Sequence, residues 1–284
     1  MPLEPGVLAL VLLAAVLHAS WNALVKTGGD RLVVITLVNF APGIPALLAL
    51  LWLPPMSAEA VPFLVVSVLV HFGYYAFLLG AYQHGDLSRV YPVARGSAPL
   101  LVALGAWLLA GEALSVAGWL GILVVSAGIM SLAWFRNHGA VAGEAKAIGF
   151  ALLTGLSIAG YSVADGLGVR ASGASFTYIA WLFAIDAFPL LLFTCWRRRG
   201  RIAAAFRPHL LRGAAGGVVA TTAYGIVIWA MGQGPIAHVV ALRETSVIIA
   251  AGIGTLLLGE SFGRQRILAA ALVAAGAIAL NLSR

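Results

Sequence analysis

Charge is scarce in this chain of 284 residues: 10% are Asp, Glu, Lys or Arg and 62% are hydrophobic, with a mean hydropathy of +1.00. A soluble chain of that composition would precipitate, so a water-soluble globular domain is excluded. Cysteine is nearly absent; Cys195 stands alone, which rules out an intramolecular disulfide and a cysteine zinc site. There is no Walker-type nucleotide loop, so ATP coupling within the chain is not expected. No His-Glu-x-x-His occurs, and Asp165 and Asp186 make a poor protease dyad, because Asp165 is expected near a helix end and Asp186 near a helix middle. No enzymatic activity, cofactor or metal site is expected.

What the chain has instead is long apolar runs. Turn residues and charges divide it into ten, at 6–25, 32–53, 61–81, 88–110, 114–134, 146–168, 174–196, 210–231, 236–258 and 264–282. At 1.5 Å rise per residue, about twenty residues cross a hydrocarbon core of roughly 30 Å. The first run has Glu4 as its only preceding side-chain charge and lacks a basic flank or a small-residue cleavage site, so it reads as a retained helix rather than a signal peptide. The linkers are short, which predicts antiparallel packing of sequential helices.

The runs fall into two matching sets of five. Arg95 and Arg243 are each followed seventeen residues later by a glycine-preceded glutamate, Gly111-Glu112 and Gly259-Glu260, so a shift of 148 superimposes both pairs. Asn39 and Pro42 answer Asp186 and Pro189 at 147; Tyr75 and Gly85 answer Tyr224 and Gly234 at 149; Gly128 answers Gly276 at 148. The predicted fold is all-α and integral to the membrane, ten transmembrane helices in two repeats, 1–138 and 139–284. Five spans per repeat is an odd number, so the second copy enters the bilayer from the opposite side. Inverted repeats of this kind are characteristic of transporters, where the two halves exchange conformations around one central site.

The net charge of +7 predicts no nucleic-acid partner once its source is located. Lys26, Arg31, Arg89, Arg136, Lys146, the basic residues from Arg197 to Arg212, Arg264 and Arg266 all fall in odd-numbered loops, against Arg170 and Arg284 on the other side. The positive-inside rule then predicts cytoplasmic odd loops and both termini outside.

Two charges stand out because they lie about 12 Å into their helices, near the midplane: Arg95 and Arg243. Pro92, Gly96 and Pro99 around Arg95 predict irregular helix there, of the kind that lines protein or a cavity. Either each arginine is neutralised within the protein, with Asp186 or Glu244 as charge partner, or the pair clamps an anionic substrate group. His18 and Asn22 share a face of the first helix with Trp21 beside them, and serve equally as inter-helix hydrogen bonders or as substrate contacts. His18 also offers a titratable group near neutral pH. Tyr75 and Tyr224, as repeat equivalents, are the stronger tyrosine candidates; Tyr74, Tyr91 and Tyr161 fall in or at the ends of spans around the same centre. Asp186 suits a proton or counter-ion role and Asn39 a polar brace. Glu112 and Glu260 read as structural caps of the turns before the fifth and tenth helices. The Gly216-Gly217 pair and the small residues of the fifth and tenth helices predict close helix packing.

Ten helices in two halves, each with Gly-Glu after its fourth helix and a glycine late in its fifth, resemble the drug/metabolite transporter superfamily, specifically its EamA-like branch. That resemblance covers the whole chain. It implies a small-solute permease or exporter of a bacterial inner membrane, with a central cavity between the halves. The stretches from His18 to Lys26, Tyr91 to Gly96 and Arg243 to Ser246 are also similar to a bacterial subgroup associated with phosphonate utilisation. The expected function is secondary transport of a small anionic or zwitterionic metabolite. A lipid translocase and a structural or receptor protein are the alternatives. The expected partners are a small-molecule substrate and the lipid bilayer, with a homodimer left open.

Overall fold

The computed structural model describes residues 3–26, 29–134, 144–258 and 264–282. Thirteen α-helices run through them: α1 (Pro5–Lys26), α2 (Arg31–Phe40), α3 (Gly43–Ala49), α4 (Val61–His84), α5 (Leu87–Ala110), α6 (Val116–Trp134), α7 (Glu144–Ala171), α8 (Ser175–Arg197), α9 (Ile202–Phe206), α10 (Leu210–Gln233), α11 (Ile236–Arg243), α12 (Ser246–Leu258) and α13 (Arg264–Leu282). There is no strand among the described residues. Ten stretches are long and apolar enough to cross a membrane, and each coincides with one predicted from the sequence. This is a multi-pass integral membrane protein. Its surface bears Leu69, Leu109, Leu192 and Trp196, side chains that only a lipid environment would accommodate at such density.

Two of the ten spans are interrupted. In span 2, Pro42 lacks the amide hydrogen that would continue the ladder, and α2 gives way to α3. Span 9 is expected from its sequence to be one helix and is instead two, α11 and α12, meeting at Glu244-Thr245. No proline causes this break. The amides of Glu244, Thr245, Val247 and Ile248 bond three residues back, to the carbonyls of Ala241, Leu242, Glu244 and Thr245, so the helix tightens into a 3₁₀-like turn. Such a turn in mid-helix marks a hinge or a functional site.

The two halves interlock. Span 6 (α7) packs along spans 3 and 4 (α4, α5) of the first repeat, and span 1 (α1) packs correspondingly along spans 8 and 9 (α10, α12) of the second. Spans 5 and 10 (α6, α13) pair with each other, as do spans 2 and 7. Every one of these contacts maps onto another, or onto itself, when span n is exchanged for span n+5, which is the signature of a two-fold axis in the bilayer plane.

The expectation that sequential helices would be the main neighbours is therefore corrected: among the described helices only α5 and α6 pack extensively as a consecutive pair of spans. In lipid, no hydrophobic force favours one helix neighbour over another; close backbone approach and polar complementarity decide. Glycine supplies the approach. A Cβ added at Gly276 would lie 2.6 Å from the Gly121 carbonyl oxygen, and one at Gly217 would lie 2.9 Å from that of Val38, so α13 meets α6, and α10 meets α2, backbone to backbone.

Candidate functional site

The break in span 9 delivers a charged cluster to the interior. Arg243 ends α11 and Glu244 follows it, while Arg95 projects from the ninth position of α5. All three are buried, at 3%, 0% and 6% exposure respectively. Glu244 lies between the two guanidiniums: its Oε2 is 2.9 Å from Arg95 Nη2 and its Oε1 3.3 Å from Arg243 Nη2. Gly155 of α7 lets this region close up, since a Cβ there would stand 2.9 Å from the Ala94 carbonyl oxygen.

One carboxylate for two guanidiniums leaves the cluster with one uncompensated positive charge. Among the described residues the Nε–H of Arg95 and that of Arg243 are both buried without an acceptor, and Glu244 Oε2 meets Arg95 as an ion pair without a hydrogen bond. Burial raises the worth of any anionic group brought to them, because charges interact more strongly where water is excluded.

His18 stands at the edge of the cluster. Its Nε2 is 3.5 Å from Arg95 Nη2, and its Nδ1 is 3.3 Å from the indole N–H of Trp21, whose ring stands edge-on at 5.4 Å. A neutral imidazole has a single acceptor nitrogen, so both contacts cannot be hydrogen bonds at once. One tautomer accepts from Trp21 at Nδ1, the other from Arg95 at Nε2. Asn22 is turned inward on its own helix, donating from Nδ2 to the His18 carbonyl at 2.7 Å. Tyr91, Tyr161 and Tyr74 are within electrostatic reach of Arg95.

Asp186 belongs to a different group. Of the two charge partners the sequence offered, both arginines take Glu244 rather than Asp186 among the described ion pairs. Asp186 Oδ2 lies 3.4 Å from the Tyr75 hydroxyl, which also donates to Asn39 Oδ1 at 2.8 Å. Asn39 and Asp186, the repeat equivalents, thus meet at one tyrosine. Of Tyr75 and Tyr224, the stronger tyrosine candidates, the first donates to Asn39 and the second to Asp165 Oδ2 at 2.6 Å, while Tyr178 donates to Asp165 Oδ1 at 3.0 Å.

Asp165, expected near a helix end, lies within a helix. Helix α7 continues to Ala171, and Asp165 is fully buried at 0% exposure. His71, overlooked altogether, is stacked on Tyr161 with ring centroids 4.0 Å apart. The signal for it was present in the sequence, since Ser67, His71 and Tyr75 recur every four residues along one face of α4.

Glu112 caps a helix, but not the one expected. It accepts from the amides of Ile236 at 2.9 Å and Ala237 at 3.4 Å, so it caps α11 in the other repeat. Helix α6, which begins at Val116, is served by Ser115, whose hydroxyl accepts from Gly118 N at 3.2 Å. Left-handed Gly111, at φ 67°, turns the chain so that Glu112 leaves its own repeat. Arg170 joins from α7, donating to Glu112 Oε1 at 2.6 Å and to the Gly234 carbonyl at 2.7 Å. Glu112→Ala is expected to cost about 0.5–2 kcal/mol as a lost cap, with faster amide exchange concentrated at Ile236 and Ala237; unchanged exchange there would show that the contact holds nothing. Glu260, its repeat equivalent, lies outside the described residues.

Ten membrane spans in two matching halves, with buried ionic groups at a break in one of them, define the class: a multi-pass membrane protein built as a duplicated five-span unit. The model of the EamA-like transporter family matches twice, over residues 5–134 and 145–282, and the chain belongs to that family of membrane transporters. Among solved structures 29 chains match. One, described only as "Crystal structure of protein", is 20% identical with a TM-score of 0.75, covering 97% of this chain and 95% of that one. At that identity the likeness concerns the fold. No curated protein matches.

Proposed function

We propose that this transporter carries a small anionic or zwitterionic metabolite by alternating access, with Arg95 and Arg243 clamping the anionic group. The observation that supports it most is the charge count: two buried guanidiniums share one carboxylate, and each keeps an unpartnered Nε–H. A carboxylate or phosphonate supplies the missing negative charge and the acceptor oxygens that a planar fork binds. His18, and Tyr91 beside Arg95, would complete its hydrogen bonds, with Trp21 as an aromatic wall and Asn22 holding the His18 turn. In this conformation the arginines are closed over, so loading requires the halves to move. The hinge at Glu244-Thr245 and the break at Pro42 are the repeat-specific points at which spans 9 and 2 can bend.

A lipid substrate has less support. The cleft of about 330 Å³ between α3, α4 and α8 is lined by apolar side chains such as Leu47, Phe72 and Trp181 and includes no member of the arginine cluster. It offers acyl chains a surface and a headgroup nothing.

The deciding measurement is a thermal-stabilisation screen of the detergent-purified protein against phosphonates, carboxylates, amino acids and organic cations. Stabilisation by anions or zwitterions is expected; stabilisation by cations alone would reverse the assignment. We further propose an inner-membrane location with both termini outside, from the basic residues of the odd loops. A reporter fused to the C-terminus and found active in the cytoplasm would overturn that orientation.

A further inference from the structure

We propose that His71, Asp165 and Asp186 form a proton-binding site inside the bundle, distinct from the arginine cluster and joined to it by Tyr161. Only its use as a coupling site rests on the transport reading; the binding of a proton does not.

Hydrogen-bond inventory carries the argument. Asp165 has a donor for each oxygen, Tyr178 and Tyr224, and is built to hold a carboxylate. Asp186 has none it can keep. Asn39 donates from Nδ2 to the Ile35 carbonyl at 2.9 Å, which fixes its Oδ1 toward Tyr75. The single Tyr75 proton goes to that oxygen, at 2.8 Å, rather than to Asp186 at 3.4 Å. Asp186 Oδ1 is buried with no hydrogen-bond partner among the described residues. An ionised Asp186 would therefore have no committed donor, whereas a protonated one donates to the Tyr75 oxygen.

His71 sits at mid-helix in α4 with 8% exposure, within electrostatic reach of both aspartates. Its Nδ1–H donates to the Ser67 carbonyl at 3.0 Å, which leaves Nε2 as the acceptor nitrogen. No hydrogen bond engages that Nε2 among the described residues. The groups around His71 are Ser67 on its own helix, Tyr161 and Asp165 on α7, Asp186 on α8 and Tyr224 on α10, while Tyr75 and Tyr178 stand against the two aspartates. With the imidazole neutral and both aspartates ionised the group would carry two negative charges, and one proton halves that. One proton serves the site: bound to Asp186 it makes the O–H that donates to Tyr75, and bound to His71 it makes the Nε2–H of an imidazolium facing two carboxylates. Tyr161 lies against His71 and within electrostatic reach of Arg95, Arg243 and Glu244, so occupancy of one cluster is felt at the other.

The test is infrared difference spectroscopy of the full chain in detergent between about pH 5 and 8, with proton uptake measured in parallel. We expect a titrating carboxylic-acid C=O band that disappears in Asp186→Asn, with about one proton fewer exchanged per chain, and a displaced titration of that band in His71→Gln. Asp186→Asn should fold, since its repeat equivalent is already Asn39. A wild-type band that survives in Asp186→Asn, or proton exchange unchanged in both variants, overturns the proposal. Failure of the anion assignment is seen separately, in the stabilisation screen of the wild-type protein.

Discussion

Glu244→Gln is expected to remove most of the folded protein, the largest stability effect of any single polar substitution in the chain. Its carboxylate serves both Arg95 and Arg243 and is wholly buried. Removing one partner of a buried ion pair costs about 3–5 kcal/mol, because the charge left behind keeps its desolvation penalty and loses its compensation. Here two charges are left behind. Against a total stability of about 5–15 kcal/mol, that loss is seen as a low yield in detergent and a depressed melting temperature. Two controls separate charge from shape. The triple variant Arg95→Gln, Arg243→Gln, Glu244→Gln carries no charge in the cluster and should recover near wild-type melting. Acetate, replacing the lost carboxylate, should raise the melting temperature of Glu244→Gln more than that of the wild type, since a ligand stabilises by mass action whichever state it binds. A Glu244→Gln variant that melts with the wild type would mean that the arginines are compensated by something other than this residue.

The spans were legible because apolar length is a one-dimensional property, and the inverted repeat because Arg95-to-Glu112 and Arg243-to-Glu260 keep their spacing. Which helix lies beside which was not. Short linkers suggested sequential pairing, whereas glycines at 121, 217 and 276 and the exchange of spans 1 and 6 between the halves set the packing, and no window of sequence contains both sides of such a contact. The arginines were visible as charges in apolar runs. Their partner was one of two candidates, and what selects Glu244 is the tightened turn after α11, which swings the next residue into the same interior. Asp165 and His71 were hidden for opposite reasons: the first by a helix longer than its apolar run, the second because a lone histidine gives no local sign of the stripe it shares with Ser67 and Tyr75.

Arg95→Gln and Arg243→Gln should each abolish binding and transport while leaving the protein folded, and the same charge count explains why the two outcomes separate. Either substitution leaves one guanidinium with Glu244, a neutral buried pair, so the desolvation cost falls rather than rises. The uncompensated positive charge disappears with it. An anion entering the cluster of a single variant would meet a glutamate already satisfied by the remaining arginine, and its own negative charge would go unpaired. Truncating a buried charged contact costs about 2–5 kcal/mol of binding, and each 1.4 kcal/mol is tenfold, so affinity should fall roughly thirtyfold or more. Melting temperatures near the wild type, together with loss of stabilisation by whichever anion the screen identifies, are the expected pair of results. Arg243→Lys refines them, because lysine keeps the charge and loses the planar fork: partial binding would point to charge, and complete loss to bidentate geometry. If both glutamine variants bind and transport that anion as the wild type does, the arginines are structural partners of Glu244 and the substrate is held elsewhere, with the tyrosine and aspartate cluster around His71 the next place to look.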